Sequence, residues 1–260
     1  METKPSLSIV KIGGNIIDNE QLLSEFLTDF SELKGHKILV HGGGKKASEI
    51  AEKLGLKPCF SNGRRITDEA VLDVAVMTYS GLLNKQIVAQ LQQFGTNSIG
   101  FSGADGNLIQ SEKRKNTEID FGFVGDVIQV NNKLISALLV QNCIPVFSAI
   151  THDGKGQLLN TNADTIAAEI AISLSEEYEV ELIYCFEKKG VLLNSEDDDS
   201  VIEVLDFEKY QTLKNEQTIH SGMLPKLENC FKSLKNGVHT IVIGNQKTLK
   251  NKAAATQIKL

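Results

Sequence analysis

Apolar positions along this chain follow two alternating rhythms. Short β-rich runs occupy residues 7–12 (LSIVKI), 35–40, 98–103, 143–150 (CIPVFSAI), 180–186 (VELIYCF) and 238–244, the last strand expected. Between them, apolar residues recur at helical spacing over 19–33, 45–55, 67–95, 133–142, 163–175 and 224–237. Gly55 closes the second helix, Thr67 is the predicted N-cap of the long third stretch, and Gly81 marks a break within it. Strands alternating with helices predict βαβ units and a mostly parallel sheet covered on both faces. The turn-rich segment 108–132 predicts β-hairpin material decorating one edge of that sheet. The acidic stretch NSEDDDSVIEV (194–204) reads as a solvated loop without function. A seam near residue 150 divides the chain into two lobes on one sheet, about 1–150 and 151–260.

Composition narrows the function. With 260 residues, 41% hydrophobic and 23% charged, the chain can build a sizeable core. A net charge of -6 disfavours a general nucleic-acid surface, so an anionic ligand needs a local basic site. Cys59, Cys143, Cys185 and Cys230 are widely spaced with no CxxC pair, which points to a reducing cytosol and away from zinc or disulfides. No apolar run reaches membrane-spanning length, and METKPSLSIVKIGG lacks the features of a signal or transit peptide.

Candidate chemistry lies where strands run into glycines. IVKIGGN brings Lys11, Gly13 and Gly14 together, and KILVHGGGKK ends on Gly42, Gly43 and Gly44. Such clusters at strand ends imply tight bends or close approach, often to a phosphate or carboxylate near a helix start. Neither cluster fits a P-loop or a dinucleotide fingerprint, and no nucleophile elbow or cysteine–histidine pair stands elsewhere. The histidines show no metal spacing, and His41 reads as structural.

Eight pieces in order, KIGGN, VHGGG, NGRRIT, GFSGADG, FGFVGDVIQVN, IPVFSAI, GQLLNTNADT and GMLPKLENC, span Lys11 to about Gly244. Together they resemble the amino-acid kinase family, and within it the N-acetylglutamate kinases. The resemblance implies a three-layer α/β/α sandwich with a mostly parallel central sheet. It implies ATP-dependent phosphorylation of the γ-carboxylate of N-acetyl-L-glutamate, or another N-acyl-L-glutamate, in arginine biosynthesis. The amino-terminal lobe would bind the acylglutamate and the carboxy-terminal lobe ATP. Mg2+ would be bound through the nucleotide phosphates, with no protein metal ligand. The family alternatives are N-succinyl-L-glutamate as substrate, another acceptor of the superfamily, or a catalytically silent sensor on the same fold. A cytoplasmic homodimer is expected, insensitive to arginine because fewer than ten residues precede the first strand.

Phosphoryl transfer to a carboxylate needs no general base, since a glutamate side chain is ionised at neutral pH. It needs alignment and positive charge between two anions. The resemblance gives that charge to Lys11 and Lys226, with backbone N–H groups from Gly13 and Gly14. Taken alone, Lys11 reads as a strand-end lysine snorkelling outward, and the adjacent Gly13–Gly14 pair turns the reading toward phosphoryl binding. Lys226 follows Pro225 at a helix start, where a cation opposes the dipole unless an anion is near. Asp164 either brackets the two lysines, as the resemblance implies, or simply caps the helix that follows it. Gly43, Gly44, Arg65 and Asn160 would bind the acylglutamate, with Arg65, next to Arg64, clamping its α-carboxylate. The nucleotide turn FEKKG departs from the SDVSG-like pattern of relatives. Glu187, Lys188, Lys189 and Gly190 would face ATP there, with Thr218, His220 and Gly222 as the opposite wall.

Overall fold

A computed structural model of the chain describes residues 3–61, 64–115, 118–194, 196–216, 218–219 and 223–260, with the Arg64 side chain excluded. In chain order the elements begin with β1 (Ser6–Ile12), α1 (Gly14–Ile17), α2 (Glu20–Glu32), β2 (His36–His41) and α3 (Gly44–Lys53). Next come β3 (Cys59–Ser61), β4 (Arg64–Ile66), α4 (Glu69–Val76), a π-helical turn (Met77–Leu83), α5 (Asn84–Gln93) and β5 (Ser98–Phe101). The middle holds β6 (Ile109–Lys113), β7 (Val124–Val130), α6 (Asn132–Val140), β8 (Ile144–Ser148), β9 (Ile150–His152), β10 (Leu158–Thr161) and α7 (Ala163–Leu174). The remainder contains β11 (Glu179–Cys185), β12 (Val204–Leu205), α8 (Phe207–Asn215), α9 (Leu224–Lys235), β13 (Thr240–Gly244) and β14 (Thr256–Ile258).

Two compact units emerge, and their boundary departs from the seam expected near residue 150. One unit comprises residues up to Ile38 together with Ala167–Leu260, and the other Leu39–Ile166. The reason is strand pairing remote in sequence. β1 lies parallel to β11 with Ser6 opposite Glu179 and Ile12 opposite Cys185, and β11 continues parallel to β13. The first strand and the helix after it therefore belong with the carboxy-terminal part. Strands in this unit run in the order β12-β14-β13-β11-β1. Their apolar runs are buried throughout, as in Ile9, Val10, Ile12, Leu182, Ile183 and Ile241, the pattern of parallel strands covered on both faces. VHTIVIG is not the last strand, because β14 returns antiparallel to β13.

In the second unit β2, β8 and β5 are parallel, with α5 and α6 packed against β8. Segment 108–132 does form the expected antiparallel hairpin, β6–β7, but it does not decorate a sheet edge. It closes with β9 and β10 into a small barrel, β10-β7-β6-β9. Thr67 is not the N-cap of the long helix. Asp68 takes that role, accepting from Val71 N–H at 2.8 Å. Thr67 is instead buried, its backbone bonded to Phe121 and Phe123. The break expected at Gly81 is the π-helical turn that contains it.

His41 ends β2 with no exposed surface. Its Nδ1 pairs with the Gly42 carbonyl at 2.8 Å and its Nε2 with the Asn84 amide nitrogen at 3.1 Å. That amide also donates to the Val146 carbonyl. A neutral ring, donating from Nδ1 and accepting at Nε2, satisfies every partner, and a second proton would face an amide donor. Burial, with Lys85 adding to it, pushes the His41 pKa from 6.5 down to about 4.

The unfolded chain takes up this proton near pH 6.5, while the folded chain refuses it until about 4. Stability is therefore lost as pH falls through that window, by up to about 1.4 kcal/mol per pH unit from this group. Urea unfolding between pH 7 and 4.5 is expected to show a shallower pH dependence for His41→Gln than for the wild type. Equal slopes would contradict the neutral, locked ring.

Candidate active site

In the first unit, strand pairing carries Lys11 to a position opposite Tyr184, and the side chain is only 8% exposed. Its ammonium lies 4.7 Å from the centroid of the Phe186 ring. Lys226 lies 3.9 Å from the same centroid. The two nitrogens can be no further apart than these distances combined. Lys226 stands in the first turn of α9 after Pro225, as the sequence suggested. A cation over a ring gains about 0.5–2 kcal/mol depending on desolvation. A unit anion about 4 Å away is worth about 4 kcal/mol at a partly exposed site. An incoming phosphate therefore outcompetes the ring for either lysine.

Gly13 does not offer its N–H to a ligand as expected. That N–H donates to the Cys185 carbonyl at 2.8 Å, extending the β1–β11 pairing. A side chain on Gly13 would bring Cβ to 3.3 Å from that oxygen and 3.4 Å from Phe186 Cδ1, so close approach accounts for the glycine. Gly14 opens α1, where first-turn N–H groups have no intrahelical acceptor. Burial pushes the neighbouring Cys185 thiol up to about 12, which excludes it as a nucleophile.

In the turn 187–190, expected to face ATP, both lysines have protein partners. Lys188 and Lys189 bond Asp198 and Asp199, each at 2.7 Å, so the acidic stretch is a partner of the turn and not an idle loop. These partners hold both lysine pKa values above the usual range. Pairs this exposed are readily exchanged for another anion. A Cβ on Gly190 would sit 2.4 Å from Thr256 Oγ1, so packing on β14 dictates that glycine. Glu187 and Thr218 are exposed, and the Thr218 N–H is taken by the Leu213 carbonyl. His220 and Gly222 lie outside the described residues, as do Asn62 and Gly63 of NGRRIT.

The second unit gathers the carboxylate-binding candidates. Arg65 on β4 is 9% exposed, and its Nη2 donates to the Gly44 carbonyl at 2.7 Å and to Ser48 Oγ at 2.8 Å. Its guanidinium lies 4.8 Å from the Phe60 ring centroid. Tyr79 stands beside it. Burial raises the Tyr79 phenol, and the Arg65 charge and hydrogen bond pull it back. Gly43 adopts φ +154, and a Cβ there would meet Leu83 Cδ1 at 2.4 Å and Tyr79 Cδ1 at 3.0 Å. Both residues come from the π-helical turn, which supplies the wall behind the glycines. Gly44 begins α3, and a Cβ on it would have no neighbour nearer than 3.9 Å. The site thus combines a helix N-terminus with a fixed guanidinium, a natural seat for a carboxylate.

Asn160 on β10 donates to Thr67 Oγ1 at 3.1 Å, tying the barrel to the stretch after Arg65. Asn162 caps α7, accepting from Asp164 N–H at 2.8 Å and Thr165 N–H at 3.1 Å. Asp164 is therefore not the cap, although it is only 5% exposed. The sequence reading missed Phe186, Tyr79, Phe60 and Ser48. Phe186 begins the divergent FEKKG turn, which was the available signal. The others carry no local one.

Residues 6–245 match the model of the amino acid kinase family. Acetylglutamate kinase of Phocaeicola vulgatus is 49% identical over 256 residues, covering 98% of this chain and 99% of that protein. Acetylglutamate kinase of Cytophaga hutchinsonii is 48% identical over 258 residues, covering 97% and 98%. Among solved structures, carbamate kinase from Giardia lamblia bound to AMP-PNP superposes with TM-score 0.70 at 11% identity, covering 98% of each chain. N-acetylglutamate synthase from Neisseria gonorrhoeae gives TM-score 0.83 at 20% identity over 98% of this chain and 59% of that one, a likeness of fold. The chain belongs to the amino acid kinase family.

Proposed function

We propose that this protein transfers the γ-phosphoryl group of ATP to the γ-carboxylate of N-acetyl-L-glutamate, releasing ADP and the acyl phosphate for arginine biosynthesis. The observation that carries the reading is the pair of ammonium groups gathered on one aromatic ring. The near half-identity to acetylglutamate kinases along the whole chain supports the choice of acceptor. The acceptor arrives as an anion, so the barrier is repulsion from the triphosphate, and positive charge on the moving group lowers it.

In this reading Lys11 and Lys226 neutralise the transferring phosphoryl group, and Gly14 offers the N–H that Gly13 has spent on Cys185. Glu187, the two turn lysines, Gly190 and Thr218 border the nucleotide, which releases Lys188 and Lys189 from their aspartates. The first unit thus takes ATP and the second takes the acylglutamate. Arg65 clamps the α-carboxylate, Gly43 and Gly44 bring backbone close to the substrate, and Asn160 holds its amide region. Asp164, freed from capping by Asn162, supplies the carboxylate that offsets the lysine charges. Magnesium arrives with the nucleotide, because it keeps its waters and bridges phosphates. The resemblance also supports a homodimer in the cytoplasm.

A hydroxamate trap for the acyl phosphate tests the reaction. Lys11→Met and Lys226→Met are each expected to lower kcat by about 10²–10³, the scale of losing one donor to transition-state charge. Turnover near the wild-type level in either folded variant would remove the proposal. Arg65→Lys keeps the charge but loses the fork, so KM for the acylglutamate is expected to rise about tenfold or more with the ATP KM little changed. An unchanged acylglutamate KM would place the carboxylate elsewhere. Sedimentation equilibrium is expected to give twice the 28.4 kDa chain mass, and a hexamer would refute the dimer.

A further inference from the structure

We infer that Tyr79 is a further acylglutamate-binding residue, its phenol donating a hydrogen bond to the same carboxylate that Arg65 clamps. The inference rests on the function proposed above. It adds a neutral donor to a site otherwise built from a guanidinium and a helix start.

The space over Gly44 is where the two side chains meet. Gly44 opens α3, and a Cβ on it would have Arg65 Nη2 and Tyr79 Oη as its neighbours, each at 3.9 Å. A ligand oxygen resting there faces the guanidinium, the phenol and the first-turn N–H groups of α3 together. Nη2 spends its two hydrogens on the Gly44 carbonyl and Ser48 Oγ, which leaves the other N–H groups of the fork for further acceptors.

The placement of protons gives the phenol its role. A guanidinium can only donate, so in the Arg65–Tyr79 hydrogen bond the phenol oxygen accepts. That bond leaves the phenol's own O–H for another acceptor, and a carboxylate over Gly44 is within its reach. Burial raises the phenol pKa against the opposing effect of Arg65, so the proton is in place at neutral pH. A carboxylate has lone pairs for the guanidinium and the phenol at once, and a hydrogen bond to an ionised acceptor is about twice as strong as a neutral one.

The donor is set before a ligand arrives. Tyr79 is 4% exposed, and its ring lies against Gly43, where a Cβ would come to 3.0 Å from Cδ1 and 3.3 Å from Cε1. Its carbonyl accepts from the Asn84 N–H that closes the π-helical turn. The next residue, Ser80, pairs with Ser148 Oγ at 2.7 Å, and Ser148 Oγ donates to the Phe101 carbonyl at 3.2 Å. The turn is thereby tied to the ends of β8 and β5, so little ordering is left for the binding step.

Tyr79→Phe keeps the ring against Gly43 and removes only the O–H. The α-carboxylate takes no part in the chemistry, so its loss of a donor affects substrate and transition state alike. In the hydroxamate assay the KM for N-acetyl-L-glutamate is expected to rise about tenfold, with kcat and the ATP KM within about twofold. The compound 4-acetamidobutanoate, which keeps the γ-carboxylate and lacks the α-carboxylate, separates donation from packing. Its inhibition constant is expected to be the same, within about twofold, for the wild type and Tyr79→Phe. An unchanged acylglutamate KM in Tyr79→Phe, or an equal weakening of 4-acetamidobutanoate, would overturn the inference while wild-type turnover leaves the proposed function standing. Absence of acyl phosphate from the wild type would instead remove the proposed function, and this inference with it.

Discussion

Seven residues of β1 pair in parallel with seven of β11, and the chemistry of the first unit follows from that register. The pairing sets Ile12 opposite Cys185 and uses the Gly13 N–H as one further rung. Lys11 and Phe186, 175 positions apart in the chain, then meet at a single strand end. A shift of one residue would turn Lys11 to the opposite face of the sheet and leave the ring without it. The same register explains why Gly13 carries no side chain. The backbone of β1 passes so near the Cys185 carbonyl and the Phe186 ring that a Cβ would crowd both.

The second unit solves a different problem, the presentation of a guanidinium at a helix start. Arg65 is oriented by the Gly44 carbonyl and Ser48, both on α3, so the side chain and the helix N-terminus are fixed relative to each other. Behind them the π-helical turn inserts Tyr79 and Leu83 into the space that only a glycine at position 43 leaves open. His41 underpins the same turn of chain, neutral and hydrogen-bonded at both nitrogens. Buried polar groups with every partner satisfied make such a framework rigid.

The acidic stretch shows how electrostatics can mislead when read along the chain alone. A run of aspartates resembles a solvated loop, yet Asp198 and Asp199 meet the lysines of a turn ten residues earlier. Those contacts are exposed, so they are screened and readily exchanged.

What the sequence determined by itself was local. Hydrophobic periodicity placed β1, β2, β11 and the helices α2, α3, α6, α7 and α9 close to their observed bounds, because a strand or helix side is encoded in consecutive residues. Glycines after strands marked both places where the backbone passes close to its neighbours, because a Cβ at Gly13 or Gly43 would crowd them. Tertiary structure alone decided which of these pieces belong together. The grouping of β1 with the carboxy-terminal strands, the closure of the 108–132 hairpin into a barrel, the return of β14, and the capping of α7 by Asn162 all depend on hydrogen bonds or registers that periodicity does not specify. Phe186 is the clearest case. In sequence it is an apolar residue ending a strand, and only the tertiary structure brings two distant lysines to its ring.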